Sequence, residues 1–568
     1  MHSFGLSATT EPGTTILLAV LFCVLAAALP KSSERLFLAI ERQFRRLTAR
    51  KWIAIAAIFA LVIVLRLALL AMLPVPNPGI HDEFSYLLMA DTFSHGRLAN
   101  PPHPMWMSFE TFHVLWFPAY ASKYPPAQGL LLALGQLLGH PWISVLLSAA
   151  AMAAAAVWAL QAWMPGRWAL LAGMLLAIKV CVATYWINSY WGGAVAAFGG
   201  ALVLGALGRW LRSGRAWHAI LLAIGIAILL NSRPYEAVFF CVPVAFLVLR
   251  RLAGESGATS LARSRWRAVV PAAAFLAAVV AWMAYYNWRV TGKALETPYA
   301  WAVRTYDRSA LFLWQKAKPP QHYNSRELDV FYNRWERENY DRSWDGVKEV
   351  TTTKLTRCNV TLAWPALVLA LPGIFVIYRD RRVRVIAAIF AAVAIGFFVT
   401  AWSNPHYAAP ATVAFFGLVV QGVRHLRTMT VLGRPIGAAL SRVVLLALVG
   451  DVSLAVSQHI ADPLGWGGWG LGDRAEIQRA LGEAPGKHLV MVRYSQGHSV
   501  HDEWVFNGAD LDGAKVLWAR DLGPEQNAKL FAYYKGRTVW LVEPGDSSDS
   551  VSLQPYRSGP VGQYEPEY

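Results

Sequence analysis

Apolar residues come in long, nearly unbroken runs along this chain, and the polar residues are collected in the stretches between them. Twelve runs stand out, near 13–30, 51–73, 142–164, 167–186, 192–210, 217–232, 235–250, 268–288, 361–378, 385–402, 407–424 and 441–458. A helix rises about 1.5 Å per residue, so runs of roughly 17 to 23 residues match the ~30 Å hydrocarbon core of a bilayer. The pattern predicts an α-helical polytopic membrane protein. One further apolar stretch, 126–138, is too short to cross. It opens on a proline pair and is expected as a helix lying at the outer interface, where Trp106, Trp116, Phe117 and Tyr120 of the same loop also suit an interfacial position.

The character changes after 458. A Gly/Trp-rich linker at 464–472 leads to helical patterns at 474–483 and 524–534. Strand-like runs lie at His488–Arg493, Lys515–Trp518 and Thr538–Val542. The alternation predicts a small α/β domain over 459–568, beside a transmembrane domain over 1–458.

Arginine and lysine between the runs give the expected orientation, because cytoplasmic loops concentrate them. Segment 31–51 holds Lys31, Arg35, Arg42, Arg45, Arg46, Arg50 and Lys51. Similar clusters are Arg250 to Arg267, Arg379 to Arg384, and Arg424, Arg427 and Arg434. With these inside, 74–141, 187–192, 231–235, 289–360, 403–407 and the tail fall outside. The 289–360 loop is long and aromatic-rich, with Tyr299, Tyr332 and Trp335 among its rings, and loops of that length are usually functional.

Composition agrees with a membrane protein. Of the 568 residues, 56% are hydrophobic and 15% charged, against about a quarter charged in soluble proteins. The net charge of +17 sits in short loops between runs, which argues against a nucleic-acid surface. Three of the four cysteines lie in apolar runs, so no disulfide framework is expected. No basic segment precedes the run 13–30, so a cleaved signal peptide is not expected.

The unusual polar motifs all fall on the outer side: His81-Asp82-Glu83, Lys123-Tyr124-Pro125-Pro126, Trp186 to Trp191, Asn231 to Glu236, and His406-Tyr407. An Asp-Glu pair after an early span, followed by a lysine and a proline pair opening a short helix, resembles the polyprenyl-phosphate-dependent glycosyltransferases of the GT-C superfamily. The branch is that of protein O-mannosyltransferases and aminoarabinose lipid A transferases, family 39 and its bacterial relatives. The resemblance covers the first half of the chain and the topology throughout. Tyr124 departs from it, standing where relatives often run directly from lysine to proline.

The resemblance implies an inverting glycosyltransferase of the bacterial inner membrane, multi-pass, with site and tail periplasmic. Its donor would be a sugar on undecaprenyl phosphate, its acceptor a glycan, lipid or protein, and its surroundings the bilayer, with no nucleic acid. Asp82 matches the family's first-loop acid and Lys123 its lysine. A carboxylate in a low-dielectric site makes a general base, so Asp82 is the expected base, with Glu83 orienting it or contacting substrate; a helix-capping pair is the alternative. Arg233 and Lys123 are the expected phosphate ligands, a guanidinium fork suiting phosphate oxygens, against a snorkelling arginine at a helix end. Tyr124, Tyr235, Glu236, His406 and Tyr407 are candidate substrate contacts, although Glu236 also reads as a partner for Arg233, and Asn404-Pro405 as ordinary turn chemistry. Asn188, Tyr190 and Trp191 face outside at a tight turn, where the two aromatics read mainly as interfacial anchors. Arg66 and Lys179 lie inside spans, where charge tends to face protein or water. His103, Glu110 and His113 lack a compact ligand spacing, so neither metal nor cofactor is expected. The rival readings are a transporter or flippase of a lipid-linked or anionic substrate, and a scaffold that recruits partners through its tail.

Overall fold

A computed structural model of the chain describes residues 34–556 apart from 183, 254–259, 339, 364–378, 403, 431–432, 462–471, 545–550 and 552, together with residues 21, 24 and 28. The expected runs 13–30 and 361–378 and the linker 464–472 fall largely outside the described residues.

An amphipathic helix α1 (Glu34–Ala49) precedes the first described span α2 (Lys51–Ala68). The loop that follows holds α3 (His81–Ser94), a two-stranded antiparallel pair β1 (Val114–Leu115) and β2 (Ala121–Ser122), and α4 (Pro126–Leu137). Next come α5 (Pro141–Leu160), α6 (Gly166–Val180), α7 (Ala194–Ser213), α8 (Ala216–Leu230), α9 (Pro234–Ala253) and α10 (Ser260–Thr291). The second long loop carries α11 (Pro298–Thr305), a π-helical turn at Val330–Glu336 and α12 (Trp344–Cys358). After it stand α13 (Arg381–Val399), a 3-10 turn at Pro405–Ala411, α14 (Thr412–Leu426) and α15 (Ile436–Ala461).

Seven helical segments among the described residues are long and apolar enough to cross a membrane. They coincide with seven of the twelve expected runs. Two others are the largely undescribed ones. The remaining three are helices α6, α8 and α9; α6 and α8 have 15 residues each, and α9 carries Glu236, Arg250 and Arg251. The expected short helix at 126–138 is α4, opening on Pro126.

Small residues set the bundle's packing, because apolar helices gain little by excluding lipid and rely on close approach instead. A Cβ added to Gly225 of α8 would lie 2.8 Å from the carbonyl oxygen of Gly199 in α7, so this contact admits only glycine. Arg66 and Lys179, the two charges singled out inside the expected runs, are both tied down. Arg66 donates to the carbonyls of Leu73 (2.7 Å) and Pro74 (3.1 Å) and to Asn188 Oδ1 (3.1 Å), closing the end of α2. Lys179 pairs with Asp451 at 2.6 Å, joining α6 to α15.

The tail forms a four-stranded sheet from β3 (Lys487–Val492), β4 (Val516–Arg520), β5 (Arg537–Val542) and β6 (Leu553–Pro555), with helices α16 (Gly472–Glu483) and α17 (Pro524–Tyr533). Strand order is β4-β3-β5-β6, with β3 parallel to β4 and β5 and β6 an antiparallel edge. Leu489 to Val492 are buried, the near-continuous apolar run of a parallel strand covered on both faces. One cover is the first loop. Leu88, Phe109, Trp116 and Tyr120 pack with Leu489, Met491, Leu517 and Leu541 in one core. Tyr120 donates to the Gly508 carbonyl (3.1 Å) and Asp91 accepts from the Ala509 N–H (2.6 Å). The expected interfacial position of Trp116 and Tyr120 is thus corrected: they stack at 4.3 Å inside the seam between loop and tail.

Candidate active site

The chain connections that follow α2, α6, α8 and α13 come together around the first turn of α3 and the entrance to α4. Asp82 occupies that first turn of α3, where the helix's exposed N–H dipoles favour a negative charge. Its Oδ1 accepts the Tyr124 hydroxyl at 2.5 Å, and its Oδ2 stands 4.0 Å from His113 Nε2. The side chain keeps 20% of its surface open, so it is recessed but reachable. Burial raises its carboxyl above the usual range; the Tyr124 hydroxyl and the Lys123 and Arg233 charges pull the other way.

Tyr124 is placed by the proline pair after it. Pro125 adopts an extended conformation, Pro126 begins α4, and the preceding residues run back through β2, where Ser122 meets Ser85 of α3 at 2.7 Å. The Tyr124 ring stacks on Tyr86, one turn along α3 from Asp82, at 4.5 Å. Lys123 is buried, and its Nζ lies over the rings of Tyr124 and Tyr299, 5.5 and 5.4 Å from their centroids. Arg233, just before α9, lies with Cζ 4.2 Å from the centre of the Tyr407 ring. Neither cation makes a hydrogen bond or ion pair among the described residues.

The other expected site residues divide. Tyr407 is the platform under Arg233. Glu236 is buried near Arg233 without a direct ion pair to it. Tyr235 turns away and donates to the Gly396 carbonyl at 3.0 Å, holding α9 to α13. His406 is engaged by Tyr185, whose hydroxyl lies 2.8 Å from Nδ1 and accepts the His406 N–H at 3.1 Å. Both therefore bond protein where substrate contact was expected.

Glu83 also departs from expectation. Its Oε2 accepts the N–H groups of Gly79 (2.7 Å) and Ile80 (3.0 Å), and its Oε1 accepts that of Tyr190 (2.8 Å). It caps α3 and ties that helix to the turn after α6, so its carboxylate is spent on the backbone. Burial pushes it up to about 7, against the pull of those three donors. Tyr190 and Trp191 are buried in this turn and are not the interfacial anchors their composition indicated.

Four further groups lie near these residues without having been among the expected site residues. His113 has φ of 63°, a left-handed conformation uncommon outside glycine, and its ring stands between Asp82 and Phe331. Tyr299, Trp335 and Glu336 come from the second loop. Burial, and then the neighbouring Asp307, hold the Glu336 carboxyl well above the ordinary range. The loop's length and aromatic content were the only signal for these three. Among the described residues no group of three or more His, Cys, Asp or Glu side chains is placed to hold a metal ion.

No protein-family model and no curated protein matches the sequence. Solved structures do. An Archaeoglobus fulgidus oligosaccharyltransferase tethered to an acceptor peptide aligns at 11% identity over 87% of this chain and 69% of its own, with a TM-score of 0.47. ArnT from Cupriavidus metallidurans bound to undecaprenyl phosphate aligns at 11% identity over 86% of this chain and 93% of its own, with a TM-score of 0.46. The arabinosyltransferase EmbB from Mycobacterium smegmatis aligns at 14% identity over 72% of this chain and 39% of its own, with a TM-score of 0.39.

Proposed function

We propose that the chain is an inverting glycosyltransferase that takes a sugar from a polyprenyl-phosphate donor and delivers it to an acceptor at the periplasmic face of a bacterial inner membrane. The observation that carries this reading is one recessed carboxylate, Asp82, aimed by Tyr124 and set near two cations, Lys123 and Arg233, whose heads lie over rings and make no ion pair among the described residues. Cation heads that make no direct ion pair among the described residues are open to a phosphate, whose oxygens suit a guanidinium fork and an ammonium.

The acceptor hydroxyl or amine attacks the anomeric carbon and its proton passes to Asp82. The bond from that carbon to the phosphate oxygen breaks, and the electron pair leaves with the polyprenyl phosphate. Arg233 and Lys123 stabilise the charge gathering on the departing phosphate. Attack from the face opposite the phosphate inverts the anomeric centre. A transport route would keep its intramembrane charges wet, whereas Arg66 and Lys179 are tied to backbone and to Asp451.

Release of undecaprenyl phosphate by the purified protein tests the reading. A panel of undecaprenyl-phosphate sugars is supplied with membrane extract as acceptor. Release from one donor, lost in a folded Asp82→Asn variant, is the expected result; no release from any donor overturns it.

A further inference from the structure

Beyond Asp82, a second set of rings continues from His113 and comes from three distant parts of the chain. Trp335 lies on the π-helical turn of the second loop, Trp402 in the connection after α13, and His501 in the tail. The Trp335 ring meets His501 edge-on at 4.4 Å and Trp402 edge-on at 5.2 Å. Phe331, one turn before Trp335, lies 5.1 Å from it and 5.8 Å from His113, the neighbour of Asp82. The cluster therefore runs from the base outward.

We propose that Trp335, Trp402 and His501, with Glu336, form the subsite for an acceptor saccharide, and that the tail completes it. The proposal rests on the transfer reading above and names the acceptor class. Trp402 keeps 36% of its surface exposed, and Trp335 and His501 are half-buried, so ring surface remains for a ligand. Beside them Glu336 accepts no hydrogen bond from the described residues, and one of its oxygens is buried without a partner; Asp307, its neighbour, has a buried oxygen in the same condition. Buried carboxyl oxygens without partners next to aromatic faces match a sugar, which offers C–H faces to rings and hydroxyls that both donate to and accept from carboxyl groups. The π-helical turn, a rare backbone form often found at functional sites, places Phe331, Trp335 and Glu336 together.

The segment that carries His501 is pinned on both sides of that residue. Tyr494 bonds Glu503 at 2.5 Å, His498 Nε2 lies 2.7 Å from the Asp502 carbonyl oxygen, and Arg326 of the second loop donates to the Ser495 carbonyl at 3.2 Å. Such fixation suits a wall of a binding site.

Saturation-transfer NMR on the full-length protein tests this, with short oligosaccharides and methyl glycosides of neutral hexose, hexosamine and uronic acid as probes. Donor and acceptor KM are measured alongside, for wild type, Trp335→Ala, His501→Ala and His501→Phe. At least one saccharide binds wild type, and both alanine variants weaken it or raise its acceptor KM at least tenfold with the donor KM within twofold. His501→Phe restores most of the affinity, because a ring is what the site needs. Overturning results are a panel in which no saccharide binds while a peptide or lipid supports release, or a rise in donor KM instead of acceptor KM. Failure of the transferase reading looks different: no polyprenyl phosphate is released from any donor, while saccharide binding that Trp335→Ala abolishes still stands.

Discussion

Tyr124 donates its hydroxyl to Asp82 across 42 residues of sequence, at 2.5 Å. The tyrosine that separates Lys123 from the proline pair is therefore the group that aims the carboxylate. Its hydrogen bond also favours the ionised form, opposing burial.

Tyr124→Phe should lower kcat and shift the pH profile. Asp82 accepts a proton only when ionised, so activity rises with pH through its pKa. Removing a bond that lowers that pKa moves the rising limb to higher pH. A hydrogen bond to a charged group contributes about 1.5–3 kcal/mol, and about 1.4 kcal/mol corresponds to one pH unit. The expected shift is about one unit or more, read from kcat between pH 5 and 9; an unmoved limb removes Tyr124 from this role.

Adjacent carboxylates should give opposite phenotypes. Asp82→Asn keeps the fold and loses activity by about 10²–10⁴-fold, the usual worth of a general base. Glu83→Gln strands at least one of three buried N–H groups, at about 1–3 kcal/mol each, and lowers the melting temperature in detergent.

Stability should also fall with rising pH around Glu83. Its folded carboxyl sits at about 7, above the ordinary 4.5, so the native state holds more protons between those values. The contribution is complete below 4.5 and lost as pH rises through about 7. Melting temperatures across that window should decline less steeply in Glu83→Gln, which cannot ionise.

Arg233→Lys should not substitute for arginine. Lysine offers a point charge without the flat fork that stacks on Tyr407, so donor KM is expected to rise about tenfold or more. Retention of wild-type donor KM and kcat in Arg233→Lys would reduce Arg233 to a positive charge in the vicinity.

Arg520 links three segments: Nε donates to the Glu110 carbonyl of the first loop at 2.8 Å, Nη1 pairs with Glu327 of the second loop at 3.2 Å, and Nη2 bonds Glu503 of the tail. Removing one member of a buried ion network costs about 3–5 kcal/mol. Arg520→Met should speed hydrogen exchange in residues 495–505 before it affects the helical bundle, as mass spectrometry of peptides would report.

Much of the architecture was readable in the chain. Apolar length marks a bilayer crossing wherever the chain folds, and seven described segments lie where the runs placed them. Strand and helix periods gave the order of elements in the tail. Asp82, Lys123 and Arg233 stood out because charge at the ends of apolar runs needs a reason.

What each polar group does was decided by partners far away in sequence. Asp82 and Glu83 are chemically alike and adjacent, yet successive helical side chains point about 100° apart. One meets the Tyr124 hydroxyl and the other meets three backbone N–H groups. Tyr235 and His406 carried the same promise as Tyr407 and were taken up by Gly396 and Tyr185. His501 lies 419 residues from Asp82 in the chain and comes to stack near His81, the residue before Asp82, because the tail's sheet buries Leu489 and Met491 against the first loop. Local pattern specifies which segments are apolar and how they repeat; which side chains meet is set by packing between elements, and that information exists only once the chain has folded.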